Sequence, residues 1–125
     1  MLDLANYELE LEDRFAGPLL DRRLWVPYYL PHWSSRARSA ARYAVASGTL
    51  SLLIEHDQEF WSPEFAGPLR VSSLQTGVFA GPVGSAIGQH RFREGLVVRE
   101  AQSNVALYTP QYGLFELRAR ALDVP

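Results

Sequence analysis

The alternation of apolar and acidic residues near the start of the chain is the feature that most limits its fold. Within residues 7–12, tyrosine or leucine at each odd position alternates with glutamate at each even position. A period of two predicts a β-strand, because neighbouring side chains of a strand point to opposite faces. We therefore expect a first strand with one apolar face and one acidic face.

Further segments favour strands. Thr49–Glu55 follows a turn residue, Gly48, and places leucine or isoleucine at alternate positions. Arg70–Phe79 and Leu96–Arg99 are less regular candidates. Leu114–Leu122 alternates cleanly, which predicts a strand with Phe115 and Leu117 towards the core and Glu116 and Arg118 away from it. Short strands joined by glycine and proline turns indicate an all-β sandwich or barrel.

Ser35–Val45 resists this interpretation. The segment is rich in alanine and arginine, and propensity alone would make it a helix. As a strand, it would instead place Ala37, Ser39, Ala41, Tyr43 and Val45 on one face and its arginines on the other. The residues themselves leave both structures open.

Composition limits the partners. A chain of 125 residues with 47% apolar and 21% charged residues fits one compact domain, residues 1–125. A net charge of −2 provides no positive field to attract nucleic acid or an anionic membrane surface, and no stretch approaches the roughly 20 apolar residues of a membrane span.

The first residues have neither a basic nor an apolar leader region. As written, the chain is expected to be cytoplasmic, and it would be secreted if a leader had been removed.

No cofactor or metal site is predicted. The chain has no cysteine, and its histidines lack the paired spacing of a zinc site, so we expect them in loops or exposed to solvent. These are His32, His56 and His90. The spacing of Gly81, Gly84 and Gly88 does not fit a phosphate-binding loop and predicts a flexible loop instead.

An aromatic segment spans Trp25–Ser35 and contains Trp25, Tyr28, Tyr29 and Trp33. Aromatic rings in one loop can stack on the C–H faces of sugars. Burial in a core is the simpler interpretation for Trp25. Trp33 has polar and arginine neighbours, so both a core position and sugar stacking stay open for it.

Four pieces of sequence carry a family resemblance. They are Phe15 with Leu20, Asp21 and Trp25; Tyr43–Leu52; Ser73–Gly77; and Leu107–Arg120, which contains Tyr-Gly-Leu-Phe-Glu-Leu-Arg. In this order they resemble glycoside hydrolase family 16, the β-glycan hydrolases with a concanavalin A-like jelly-roll β-sandwich. The resemblance implies that residues 1–125 are the N-terminal half of the domain, an incomplete jelly roll, and it favours a strand for Ser35–Val45.

The resemblance also implies where the chemistry lies. In the family, the next strand carries a Glu-x-Asp-x-x-Glu pattern with the two carboxylates of a retaining mechanism. This chain stops at Pro125, so we expect no catalytic residue and no hydrolysis by the chain alone. The substrate-binding candidates are Trp33, Arg36, Arg38, Gln75, Glu116 and Arg118, of which the last two match the sugar-binding positions of the family motif. Ser34–Arg38 replaces a segment that often contains asparagine in the family, so the resemblance implies a β-glycan without implying which one.

We therefore predict a portion of a β-glycan hydrolase that contributes part of a sugar groove. A non-catalytic, lectin-like carbohydrate-binding sandwich and a small-ligand-binding β-barrel are the alternatives. Half of a sandwich would leave apolar faces and strand edges uncovered, so the chain is also expected to self-associate.

Overall fold

The computed structural model describes residues 3–122 and shows mostly short strands and loops with few helices. The elements are a 3-10 helix at Pro31–Trp33, helix α1 at Arg36–Ser39, strands β1 at Arg42–Ala46 and β2 at Thr49–Leu53, helix α2 at Pro63–Ala66, and strands β3 at Gly77–Val78 and β4 at Val105–Ala106. This composition is consistent with the predicted β fold. The predicted domain includes residues 1, 2 and 123–125, which lie outside the described range.

Strands β1 and β2 form an antiparallel hairpin in which Tyr43 pairs with Leu52 and Val45 with Leu50. Ser47 and Gly48 connect them, and both have positive φ, 52° and 71°. Two consecutive positive φ angles are typical of a type I′ turn, whose twist matches that of the flanking strands. The predicted strand after Gly48 is confirmed, although it ends at Leu53.

The ambiguous segment Ser35–Val45 divides between the two structures. The Ser35 hydroxyl accepts a hydrogen bond from the Arg38 backbone N–H at 3.2 Å and caps α1. The helix stops after one turn because Ala40 forms a β-bridge with Tyr28. β1 then begins at Arg42 and pairs with β2. Neither single prediction for the segment was right.

Other predicted strands are absent from the described residues. Residues 7–12, Leu96–Arg99 and Leu114–Leu122 have no regular structure, and the exposed fractions of Phe115 and Leu117 are 68% and 85%. The prediction that these two side chains face the core was wrong. Alternation orders a strand only when a neighbouring strand accepts its backbone hydrogen bonds, and none does so within residues 3–122.

The second sheet is smaller than predicted. Of Arg70–Phe79, only Gly77–Val78 forms a strand, and it pairs antiparallel with β4. A Cβ atom on Gly77 would lie 2.8 Å from the Val105 carbonyl oxygen, so the close approach of the strands requires glycine. Since the described strands form two separate two-stranded sheets, the structure gives no support to a closed barrel.

The core lies between loops rather than between large sheets. Its buried members are Leu30, Trp33, Trp61, Ala80, Leu96 and Val98. The Trp61 indole N–H donates to the Tyr29 carbonyl at 2.9 Å, and the Ser62 hydroxyl donates to the Trp33 carbonyl at 3.1 Å. Buried indoles need such partners for their N–H groups. These bonds attach the loops to the core that the loops enclose.

Gly88 generates a stability prediction. A Cβ atom there would lie 2.6 Å from His32 Cδ2 and 2.9 Å from Trp33 Cζ2, and both rings are fully buried. Gly88→Ala should therefore lower the free energy of unfolding by about 1 to 3 kcal/mol through overpacking, as measured by chemical denaturation. Gly17→Ala is the matched control, since its Cβ would meet nothing nearer than 3.8 Å. Equal denaturation midpoints for the two variants would contradict the packing argument.

Because many large apolar side chains are exposed, we predict that the chain self-associates. Sedimentation velocity should detect a dimer or larger species, because uncovered apolar surface favours association. Replacing Phe115 and Leu117 together by serine should shift the distribution towards monomer. Leu19→Ser, at an 82% exposed leucine elsewhere on the surface, should not. A stable monomer at high concentration would count against the prediction.

Candidate functional site

An open groove of about 630 Å³ lies along β3 and β4. It is lined by residues 75–79, 89, 104–106 and 108–110. We call it the β3–β4 groove. Its side chains are amides, hydroxyls, aromatic rings and aliphatic groups, and none of the carboxylate or basic side chains of residues 3–122 lines it. Hydroxyl and amide groups beside apolar surface are suited to a neutral polar ligand.

Gln75 connects the groove to the aromatic segment. Its backbone pairs with Val26 in both directions, at 2.6 and 2.9 Å. Its side-chain oxygen accepts from the Leu30 N–H at 2.6 Å, and its side-chain nitrogen donates to the Gly77 carbonyl at 2.9 Å. Both ends of the amide are therefore bonded within the protein, so Gln75 shapes the groove.

Gln89 pairs with Phe79, the residue that directly follows β3. Its backbone N–H donates to the Phe79 carbonyl at 3.1 Å, and its side-chain oxygen accepts from the Phe79 N–H at 2.7 Å. Its own carbonyl accepts from the ring nitrogens of Trp33, at 3.0 Å, and His32, at 3.2 Å. Gln89 thus joins the groove to the buried core.

Asn104 and Tyr108 lie before and after β4 in the chain, and both line the groove. The Asn104 side-chain oxygen accepts from the Ala80 N–H at 3.0 Å. The Tyr108 hydroxyl donates to the Glu10 carboxylate at 3.0 Å, and this hydrogen bond raises the pKa of Tyr108 above its usual value. This hydrogen bond holds the Glu10 carboxylate beside the groove.

The structure does not bring the six predicted binding residues together. Gln75 lines the β3–β4 groove. Arg38 lines a separate cavity of about 270 Å³ and pairs with Glu59 at 3.5 Å. Arg36 lies 4.2 Å from the centre of the Tyr28 ring, with a hydrogen bond to Gln102 at 3.2 Å.

Two of the other predicted residues lie in the irregular segment near the end of the described range. Glu116 and Arg118 are both exposed and do not line the groove. Trp33 is fully buried and its indole N–H is bonded to Gln89. Because no face of its ring is accessible, Trp33 is a core residue in this structure, and we do not retain the stacking role predicted for it.

His32 is a second correction. The sequence predicts it in a loop or exposed to solvent, but it lies in the 3-10 helix and is fully buried beside Trp33, with the ring centres 4.4 Å apart. A carbonyl can only accept, so Nε2 carries the proton that it donates to Gln89. Nδ1 has no hydrogen-bond partner. Desolvation lowers the pKa of His32, and the bond to Gln89 opposes this effect only in part.

Sequence reasoning identified only Gln75 among the groove residues and missed the other two groove amides, Gln89 and Asn104. An isolated amide in a loop has no characteristic spacing, and the loop before Gln89 was predicted to be flexible because of its glycines. The pairing of β3 with β4 brings Asn104 to the groove, and the bridge between Ala80 and Gly88 brings Gln89.

Within residues 3–122, no cluster of three or more histidine, cysteine, aspartate or glutamate side chains could hold a metal ion. Over the same range, the helices are too short and too polar to cross a bilayer.

Comparisons with known proteins show similarity to the solved structure of an enzyme. No protein-family model and no curated protein sequence matches the chain. Among solved structures, the chain is similar to the GlcNAcα1-4Gal-releasing endo-β-galactosidase from Clostridium perfringens, with 33% identity and a TM-score of 0.71. The similarity covers 87% of this chain and 25% of that protein, so the chain spans a quarter of its length. This structural neighbour is a glycoside hydrolase.

The buried histidine predicts a pH dependence. Because its pKa is lowered in the folded state, the unfolded chain takes up a proton first as the pH falls below about 6.5. The free energy of unfolding should therefore decrease between neutral pH and pH 5. His32→Gln retains an N–H donor for Gln89 without titrating, and it should flatten this decrease. The exposed His56, replaced by glutamine, is the control. An unchanged slope in His32→Gln would refute the assignment.

Proposed function

We propose that this chain is a portion of a β-glycan hydrolase domain of the glycoside hydrolase family 16 type, an incomplete jelly-roll sandwich that contributes sugar-binding residues. The observation that carries the proposal is the similarity of most of the chain to part of a glycan-hydrolysing enzyme. The family motif at Tyr112–Arg118 supports the same assignment.

The chemistry of the β3–β4 groove supports a sugar ligand. Its polar groups are neutral amides and hydroxyls, which match the donors and acceptors of sugar hydroxyls. Tyr108 and Phe79 add aromatic surface, and the open shape would admit a chain rather than a small enclosed molecule. A glycan fits these features better than a charged or fully apolar ligand.

The next question is whether a pair of carboxylates in the chain could catalyse hydrolysis. A retaining glycosidase requires two carboxyl groups about 5 to 5.5 Å apart, one of them protonated. Glu55 and Asp57 do lie close together, since both accept from Arg42 Nη1 at 2.5 Å. The hydrogen bond from Arg42 lowers the pKa of Asp57, so Asp57 is unsuited to be the protonated acid of such a pair. We propose that the chain binds sugar without hydrolysing it.

A lectin-like carbohydrate-binding sandwich is the second candidate, and it is favoured by a groove that residues 3–122 line without a carboxylate. The two candidates share the groove and differ in whether a partner segment supplies catalytic carboxylates. Binding experiments on this chain test glycan binding, which both candidates require.

Glu116 and Arg118 lie outside the lining of the β3–β4 groove but match sugar-binding positions of the family motif, so they test whether a bound glycan also reaches this exposed segment. A charged hydrogen bond contributes about 1.5 to 3 kcal/mol, so Glu116→Gln or Arg118→Ala should weaken oligosaccharide binding by about ten- to a hundredfold, as measured by calorimetry. Melting temperature should change little because both side chains are exposed. Arg120→Ala, from the same exposed segment, is the matched control and should bind normally.

Laminarin, lichenan and agarose serve as ligands, and no reducing ends should appear during the incubations. If affinity is unchanged while the variants melt early, the pair is structural and its assignment to sugar fails. Turnover that a single glutamate or aspartate substitution abolishes would contradict the non-catalytic part of the proposal.

A further inference from the structure

We infer that two copies of this chain associate through strand pairing between residues 7–12 of one copy and residues 114–122 of the other. We call residues 7–12 the acidic segment and residues 114–122 the arginine segment. Exposed apolar side chains predict association without specifying its contacts. The backbone, the alternation and the charges of these two segments specify which contacts form.

Both segments have backbone groups that the described part of the chain leaves unpaired. Within residues 3–122, the acidic segment forms one backbone–backbone hydrogen bond, from the Tyr7 N–H to the Leu4 carbonyl, and the arginine segment forms none. Every residue of both segments is exposed, and neither segment contains proline. Their N–H and C=O groups therefore form two strand edges that another polypeptide can pair with.

The two segments have the same alternation. In each of them charged side chains occupy even positions, 8 to 12 in one and 116 to 120 in the other, and the odd positions are apolar. Side chains on one face of a strand lie beside those on the same face of its neighbour. Any register that places charged side chains opposite each other therefore also places apolar side chains opposite each other. A slip by one residue loses both matches.

Charge favours pairing between unlike segments. The acidic segment has three glutamates and no basic residue, so two copies of it would repel each other. The arginine segment has Arg118 and Arg120 against one glutamate, Glu116. Within residues 3–122 neither of these arginines forms an ion pair, whereas Arg42 pairs with two carboxylates. The acidic segment of one copy is therefore complementary to the arginine segment of another.

Two of the glutamates already have partners that leave them available. Glu10 Oε2 accepts from the Tyr108 hydroxyl at 3.0 Å, and Glu12 Oε1 lies 2.9 Å from Arg14 Nε. Each carboxylate has a second oxygen, which can accept a hydrogen bond from an arginine. All three glutamates can therefore face the arginines of the other copy.

Two-fold symmetry makes the contact reciprocal. The operation that places the acidic segment of one copy on the arginine segment of the other also forms the second contact, so a dimer contains two strand pairs. Each pair brings Phe115 and Leu117, which are 68% and 85% exposed, beside the apolar face of the acidic segment. The charged faces stay in solvent, so Glu116 and Arg118 remain accessible to a glycan.

Charge reversal tests the pairing. One variant combines Glu8→Arg, Glu10→Arg and Glu12→Arg, and a second combines Arg118→Glu and Arg120→Glu. Sedimentation equilibrium should show dimerisation weakened by about tenfold or more in each, because like charges directly opposite destabilise a strand pair and each contact occurs twice. Melting temperatures measured on dilute protein should change little, since these side chains are exposed.

Mixing the two variants distinguishes specific pairing from general loss of association. The reversed segments of the two variants are complementary to each other, and the remaining two segments keep their original charges. The mixture should therefore form a heterodimer about as stable as the unmodified dimer. Arg22→Glu with Arg91→Glu is the matched control, because it makes the same change of charge at exposed positions elsewhere. It should dimerise like the unmodified chain and bind the first variant more weakly than the second variant does.

Hydrogen exchange locates the contact. Backbone amides of both segments should exchange more slowly as the protein concentration rises, whereas those of the β1–β2 hairpin should not change. A chain that stays monomeric at high concentration would overturn the inference and leave both edges to a different polypeptide. Loss of dimerisation in the second variant alone would mean that two arginine segments pair with each other. That result, or a mixture that stays monomeric, would also overturn the inference.

Discussion

The backbone carbonyl of Gln89 is the acceptor on which both the core and the groove depend. It accepts from the ring nitrogens of Trp33 and His32, two of the most deeply buried side chains. A carbonyl has two lone pairs, so these bonds can satisfy it fully. Gln89 also binds Phe79 through its backbone and its side chain. Because one residue serves the core and the groove, a change in core packing alters the position of groove atoms.

Amide and hydroxyl side chains replace the neighbouring strands that a larger sheet would provide. The strands of residues 3–122 are two to five residues long, so most backbone groups lie outside regular ladders and still require partners. Gln58 accepts from the Glu55 N–H and donates to the Val71 carbonyl. Gln75 does the same between Leu30 and Gly77. The fold therefore depends on single polar side chains, and their loss would free loops rather than strand pairs.

The distribution of charge explains why the groove is neutral. Several arginines pair with nearby carboxylates at the surface, as Arg42 does with Glu55 and Asp57 and Arg99 with Glu64. Exposed pairs of this kind contribute little to stability because water screens them. The paired charges lie away from the β3–β4 groove, which is lined by amides, hydroxyls and apolar groups. A groove of this composition, in a chain similar to part of a glycan hydrolase, is the basis for the glycan proposal.

The sequence by itself determined the structure where the interactions are local. The hairpin after Gly48 follows from alternation and turn chemistry between adjacent residues. Alternation alone did not make strands of residues 7–12 or Leu114–Leu122, because a strand also needs a partner. Of the predicted binding residues, only Gln75 lines the groove. Tertiary structure decided the burial of Trp33 and the positions of Gln89 and Asn104, since these depend on contacts between segments far apart in the chain, which no local pattern encodes.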